Sequence, residues 1–174
     1  SVTGVQTCAL PIFMFFKYFN LKKNNLNDQS LTFYKEIVNH SNFFIKNQIG
    51  DENLNFNDVF EIFTIVTIFY LKKLKDKNTT DSKIISQEII DSFVRDLDQH
   101  FREQGIGDMS IGKYVKKYVK KFYYRLQILD AVFEKNKELD ISEYLNKIDN
   151  LPKQNIDQIS SNLKELYNRI LIEN

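Results

Sequence analysis

The sequence predicts an all-α domain of about six to eight helices. Apolar residues recur at spacings of three and four through most of the chain, as in Ile90, Phe93, Val94, Leu97 and Phe101. Strand-like alternation is hardly visible. The residues that break helices are scarce, with five Gly and two Pro. A hydrophobic content of 43% supplies a sizeable core at this length. One domain over residues 13–174 is expected.

Residues 1–12 are set aside. Val2 to Ile12, VTGVQTCALPI, reads as a translated sequencing-library adaptor joined to a gene fragment. Cys8, the one cysteine, goes with it, so disulfides, thiol catalysis and cysteine-bound metal are not expected. Phe13 to Lys23 is apolar and then basic, and too short to span a bilayer. A core or partner-covered helix is favoured there over a membrane-surface anchor. Asp28 or Ser30 is suited to cap a helix that reaches His40, and Ser41 to Gly50 reads as a short helix or turn. Asn57 opens the next helix. From Val59 to Leu71 only Glu61, Thr64 and Thr67 are polar, which marks a central, buried helix. A groove for an apolar client is the functional alternative for this segment. Lys72 to Lys83 reads as a polar loop, with Thr80 or Asp81 capping the helix that follows.

That helix runs to Gly105. Asp91→Arg95 and Asp98→Arg102 are acid-first pairs at i,i+4. Gly105 fits a left-handed terminating position, with Ile106 folding back toward Phe101 as in a Schellman cap. Gly107 extends the hinge, and Asp108 and Ser110 suit the next N-terminus. In the helix beyond, Val115, Tyr118, Phe122, Leu126, Leu129 and Phe133 share one face. Lys113, Lys116, Lys117, Lys120 and Lys121 gather on the other, with Arg125 at its border and Tyr124 in its middle. Between Met109 and Leu129 there are six basic residues and no acid, so the rest of a chain of net charge +1 carries −5. Such a face attracts nucleic acid, anionic lipid or an acidic protein; the plain alternative is a solvated helix face. After Phe133 the chain turns polar. Asp140 with Glu143 resembles a capping box for a helix to about Ile148. A break at Pro152 precedes an amphipathic helix, Asn155 to Ile172.

Sites for chemistry are not legible. Asp96 and Asp98 point in different directions on a helix, and no metal-binding or phosphate-loop sequence accompanies them. The two histidines, His40 and His100, are far apart in the chain. The function expected is binding rather than catalysis, with no cofactor and no metal.

The run D-x-D-x-x-x-R-E-x-G-x-G-D, followed by K-x-x-K and F-Y-x-R, resembles the ubiquinol–cytochrome c chaperone family. Asp96, Asp98, Arg102, Glu103, Gly105, Gly107, Asp108, Lys113, Lys116, Phe122, Tyr123 and Arg125 carry the match without a gap. Weaker similarity extends it to roughly residues 31–133. Tyr124 stands where the family usually has Gly, and Gly112 where it often has Pro. The resemblance implies an assembly chaperone that holds newly made cytochrome b while the bc1 complex (respiratory complex III) is built. It implies cytochrome b as an apolar client, with a small partner subunit, the ribosome and an anionic membrane surface as further partners and no small-molecule substrate. The place implied is the cytoplasmic side of a bacterial inner membrane, or the matrix side of the mitochondrial one. Lys113, Lys116, Lys117, Lys120, Lys121, Tyr124 and Arg125 are the candidate partner-binding residues. Asp96, Asp98, Arg102, Glu103, Gly105, Gly107, Asp108 and Tyr123 form the motif around the hinge. The alternative is an RNA- or ribosome-binding module that uses the basic helix 111–126.

Overall fold

The computed structural model describes residues 28–49, 54–135, 141–149 and 151–172. The segments read above as adaptor, as the Phe13–Lys23 helix and as an Asp140 cap lie outside them. Among the described residues there are six α-helices and no strand. They are α1 (Asp28–Phe44), α2 (Phe56–Lys77), α3 (Thr80–Glu103), α4 (Asp108–Lys135), α5 (Ser142–Leu145) and α6 (Ile156–Ile172).

Helix α2 is the axis of the fold. It packs against α1, α3, α4 and α6. Every residue from Asp58 to Leu71 is buried, as its apolar run predicts. Ile62, Ile65, Val66, Ile68 and Phe69 are fully enclosed. Each such side chain contributes roughly 1.5–3 kcal/mol relative to exposure. Its cap is Asn55 rather than Asn57: the Asn55 side chain accepts from the backbone of Asn57 and Asp58, and Asp58 accepts in return from the Asn55 N–H.

Other boundaries differ from the sequence reading as well. Helix α1 does not stop at His40 but runs to Phe44 and continues as a π-helical turn, Ile45–Ile49. Ser41 is buried within α1, and its hydroxyl is satisfied by donating to the Ile37 carbonyl at 2.7 Å. The loop expected over Lys72 to Lys83 shrinks to Asn78 and Thr79. Lysines are good helix formers, and Lys72 pairs with Asp76 at 2.9 Å one turn on. Asn78 then takes a left-handed φ of 47°, and Thr79 caps α3 in a box with Ser82. After α4, the short α5 and a 3₁₀ turn, Lys153–Asn155, lead into α6. The apolar stripe of α6 covers α2, with the Tyr167 ring 5.0 Å from that of Phe69.

Helices α3 and α4 form an antiparallel pair. Phe93 meets Phe122 at 5.1 Å and Phe101 meets Tyr114 at 5.5 Å, so one chain ascends as the other descends. Gly105 turns the chain between them with φ 75°. The Gly105 N–H donates to the Arg102 carbonyl at 2.9 Å and the Ile106 N–H to that of Phe101 at 3.1 Å. This is the Schellman pattern the sequence predicts. Ser110 is not the next cap. The Gly107 carbonyl accepts from the N–H groups of Ser110 and Ile111, which places Ser110 inside the first turn.

Helix α1 is fastened to α3 by Tyr34, whose buried hydroxyl donates to Asp96 Oδ2 at 2.7 Å. Burial pushes the Asp96 carboxyl up to about 6, against the opposing pull of Tyr34 and Arg95.

No atom lies within 4 Å of a Cβ built on Gly105, so a side chain there costs backbone conformation alone. Gly105→Ala should destabilise by about 1 kcal/mol in urea unfolding; an unchanged midpoint would contradict the left-handed cap. Asp96 gives a second expectation. Its folded pKa lies above its ordinary value of 3.8, so the native state holds the proton more tightly between there and about 6. Stability from this group is fully present below that window and is lost as pH rises through it. Asn keeps an acceptor for Tyr34 without the charge. Asp96→Asn should therefore gain stability relative to wild type at pH 7 and not at pH 4. Equal changes at the two pH values would refute the assignment.

Candidate partner-binding site

Glu61 is the one acid in the apolar run of α2, and only 4% of it is exposed. A carboxylate there is costly unless it is paired and hydrogen-bonded. Two side chains one turn apart on α4 supply the pairing. Arg125 grips it with two bonds, Nε to Oε2 at 3.0 Å and Nη2 to Oε1 at 3.1 Å. Lys121 Nζ approaches Oε1 at 2.9 Å. From α5, the Tyr144 hydroxyl donates to Oε2. Burial alone would raise the Glu61 carboxyl; the bonds from Arg125, Tyr144 and Lys121 outweigh it and hold the group below its ordinary value. Tyr144 is pushed upward by burial and then by Glu61. The guanidinium of Arg125 also lies over the rings of Tyr124 and Tyr144, at 5.6 and 5.5 Å. Lys121 lies 5.3 Å from the ring of Phe60.

This cluster forms one wall of a cleft of about 550 Å³ between α2, α4 and α5. Asn57, Tyr124, Ile128, Val132, Ile141 and Ile148 also line it.

The structure divides the basic set that the sequence places on one free face. Lys113, Lys116, Lys117 and Lys120 are exposed along the outside of α4. None of them takes part in the ion pairs of the described residues. Lys121 and Arg125 are instead only 28% and 25% exposed at the side chain. The helix turn explains the division. From Lys113 they are rotated by about 80° and 120°, toward α2, whereas Lys117, Lys120 and Tyr124 stay within about 40° of it. Tyr124 is 57% exposed and joins the outer stripe to the lip of the cleft. Tyr123 is exposed as well, and Phe122 is buried.

The hinge residues lie elsewhere. Arg102 donates to Asp98 at 2.6 Å and to Asp108 at 2.5 Å, spanning the turn from α3 to α4. Glu103 accepts from Gln99 at 2.7 Å. Of the two expected i,i+4 pairs, Asp98–Arg102 forms. Asp91 instead accepts from Gln87 and Arg95 donates to Ser92. Asp108 and Arg125 are seventeen positions apart on α4, about 25 Å along its axis. Of the motif residues, Asp98, Arg102 and Asp108 clamp the hinge, Asp96 holds Tyr34, and Arg125 joins the Glu61 cluster.

Among the described residues no group of three or more His, Cys, Asp or Glu is placed to hold a metal ion. His40 Nδ1 lies 3.0 Å from the Tyr70 hydroxyl. His100 stacks on Phe56 at 4.2 Å, and burial lowers it to about 4, so it is neutral at neutral pH. Glu61 and Tyr144 went unrecognised in the sequence as parts of a site. The signal for Glu61 was present: a lone carboxylate in an apolar helix requires a cation, and α4 holds the densest supply. Nothing local marks Tyr144.

No curated protein and no solved structure matches the chain significantly. A family model described as Ubiquinol-cytochrome C chaperone matches residues 53–158. That span starts later than the resemblance read from the sequence and runs past Phe133, so it takes in Tyr144 together with Glu61, Lys121 and Arg125. It covers α2 to α5 and the start of α6, well over half of the sequence, and the chain belongs to the ubiquinol-cytochrome C chaperone family.

Proposed function

We propose that this chaperone binds newly made cytochrome b and promotes assembly of the ubiquinol–cytochrome c reductase. The observation that carries the reading is the family match, which includes both the hinge and the Glu61 cluster. The charge distribution supports it. Four lysines that form no ion pair among the described residues project from α4, and each lysine near an anionic surface contributes about 1 kcal/mol. They would hold the chaperone at the membrane surface where its client is inserted, on the cytoplasmic or matrix side, beside the ribosome and a small partner subunit. No helix of the described residues is long and apolar enough to cross a membrane. The client is held and released without chemistry.

One observation favours a second reading. Tyr123 and Tyr124 are exposed next to the lysines, the arrangement on which single-stranded bases stack. An RNA- or ribosome-binding module would use the same helix.

Crosslinking in a bacterial or mitochondrial membrane extract separates the two. Capture of cytochrome b supports the chaperone reading; capture of ribosomal RNA alone would replace it. Changing Lys113, Lys116, Lys117 and Lys120 together to Gln should leave folding within about 1 kcal/mol of wild type. Co-sedimentation with anionic vesicles should weaken and lose much of its salt dependence. Unaltered sedimentation would reduce the stripe to a solvated face.

A further inference from the structure

Helix α4 carries more than lysines on its outer side. Met109, the four outer lysines, Tyr123 and Tyr124 fall within about 120° of helix rotation. Met109 is fully exposed, and both tyrosines are exposed. About 21 Å of helix separates Met109 from Tyr123, and the lysines fill the interval. The face is a row of cations with an apolar or aromatic side chain at each end.

Charge decides which way this face can turn. It holds four cations and no acid. Its flanks are acidic by comparison. Toward α3, Asp91, Asp98, Glu103 and Asp108 outnumber Arg95 and Arg102 by two. Toward α5, the lining of the cleft beside Glu61 holds four acids against three bases. An anionic plane therefore attracts the outer face of α4 and repels the surface on either side of it, which orients the helix along the plane.

A bilayer uses every part of the pattern. Lysine stems cover apolar surface while their amines stay among the phosphates. Tyrosine rings favour the headgroup level, where the apolar end is buried and the hydroxyl stays wet. The unbranched Met109 side chain gains by leaving water. Single-stranded RNA would use the lysines and the tyrosines, but a thioether offers no ring on which a base can stack.

We infer that α4 docks by its outer face into the headgroup layer of an anionic bilayer, with Met109 at one end and Tyr123 and Tyr124 at the other inserted as anchors. The inference rests on the membrane-surface reading of the four lysines and adds insertion and a fixed orientation to their attraction. Tyr124 also forms the lip of the cleft beside Glu61, so that lip meets the bilayer.

The probes are vesicles of phosphatidylcholine with and without phosphatidylglycerol. The full chain with Cys8→Ser and Met109→Cys carries an environment-sensitive nitrobenzoxadiazole label at position 109. On phosphatidylglycerol vesicles the label should brighten, shift to the blue and be quenched by lipids brominated in the acyl chain; on phosphatidylcholine alone it should not. A variant with Met109→Gln, Tyr123→Ser and Tyr124→Ser keeps every lysine. It should bind phosphatidylglycerol vesicles about tenfold more weakly than wild type and be released fully by high salt, whereas wild type keeps residual binding. If this variant loses helicity by circular dichroism, the label decides alone. An unshifted label on vesicle-bound protein, or release of wild type by salt as complete as that of the variant, would overturn the inference. Either result with cytochrome b still captured by crosslinking would overturn this inference alone. No vesicle binding, with capture of ribosomal RNA, would overturn it together with the membrane reading. A shifted, quenched label without cytochrome b capture would leave the anchoring standing and remove the proposed client.

Discussion

A single buried carboxylate determines how three helices of this protein meet. Glu61 sits in the most enclosed stretch of α2, where an unpaired charge would cost several kcal/mol. Its partners come from α4 and α5, 60 and more residues further along the chain. Apolar contact alone permits helices to slide and rotate against one another. A bidentate guanidinium with a fixed fork does not, because its two bonds specify both distance and angle. The rotation of α4 follows: Phe122 and Leu129 face the core, and Lys113, Lys117 and Lys120 face outward.

The same constraint organises the charge. Lys121 and Arg125 are drawn inward, so the outer stripe keeps four lysines and ends at Tyr124. The interior pairing contributes order, and the exterior lysines contribute attraction at a distance. At the other end of α4 the Gly105 turn and the Arg102 clamp set where the helix begins. One helix therefore carries three tasks along its length: a fixed start, a basic outer stripe and the two cations that hold Glu61.

Much of this was legible in the sequence, and the misses share a cause. The burial of Val59 to Leu71, the left-handed Gly105 and the amphipathic stripe of α6 all follow from local pattern. Where caps were misplaced, as at Asn55, Thr79 and Gly107, several neighbouring residues had the right chemistry and geometry chose among them. The loop expected at Lys72 to Lys83 failed because polarity was taken for irregularity; an exposed lysine-rich turn of helix is polar too. The division of the basic residues was the larger miss. Lys120 and Lys121 are neighbours in sequence and identical in chemistry, yet one faces solvent and the other Glu61. Only the partner helix distinguishes them, and the partnership with Tyr144 has no local signature at all.

The central claim is that Glu61 and Arg125 are energetically coupled and not merely close. A double-mutant cycle measured by urea unfolding, with Glu61→Gln, Arg125→Met and the pair, isolates that coupling. The account predicts an interaction energy of about 1–3 kcal/mol, the range for residues that share one buried hydrogen-bonded pair. Changes that add to within about 0.5 kcal/mol would show two independent residues, and the cluster would not be what fixes α4 on α2.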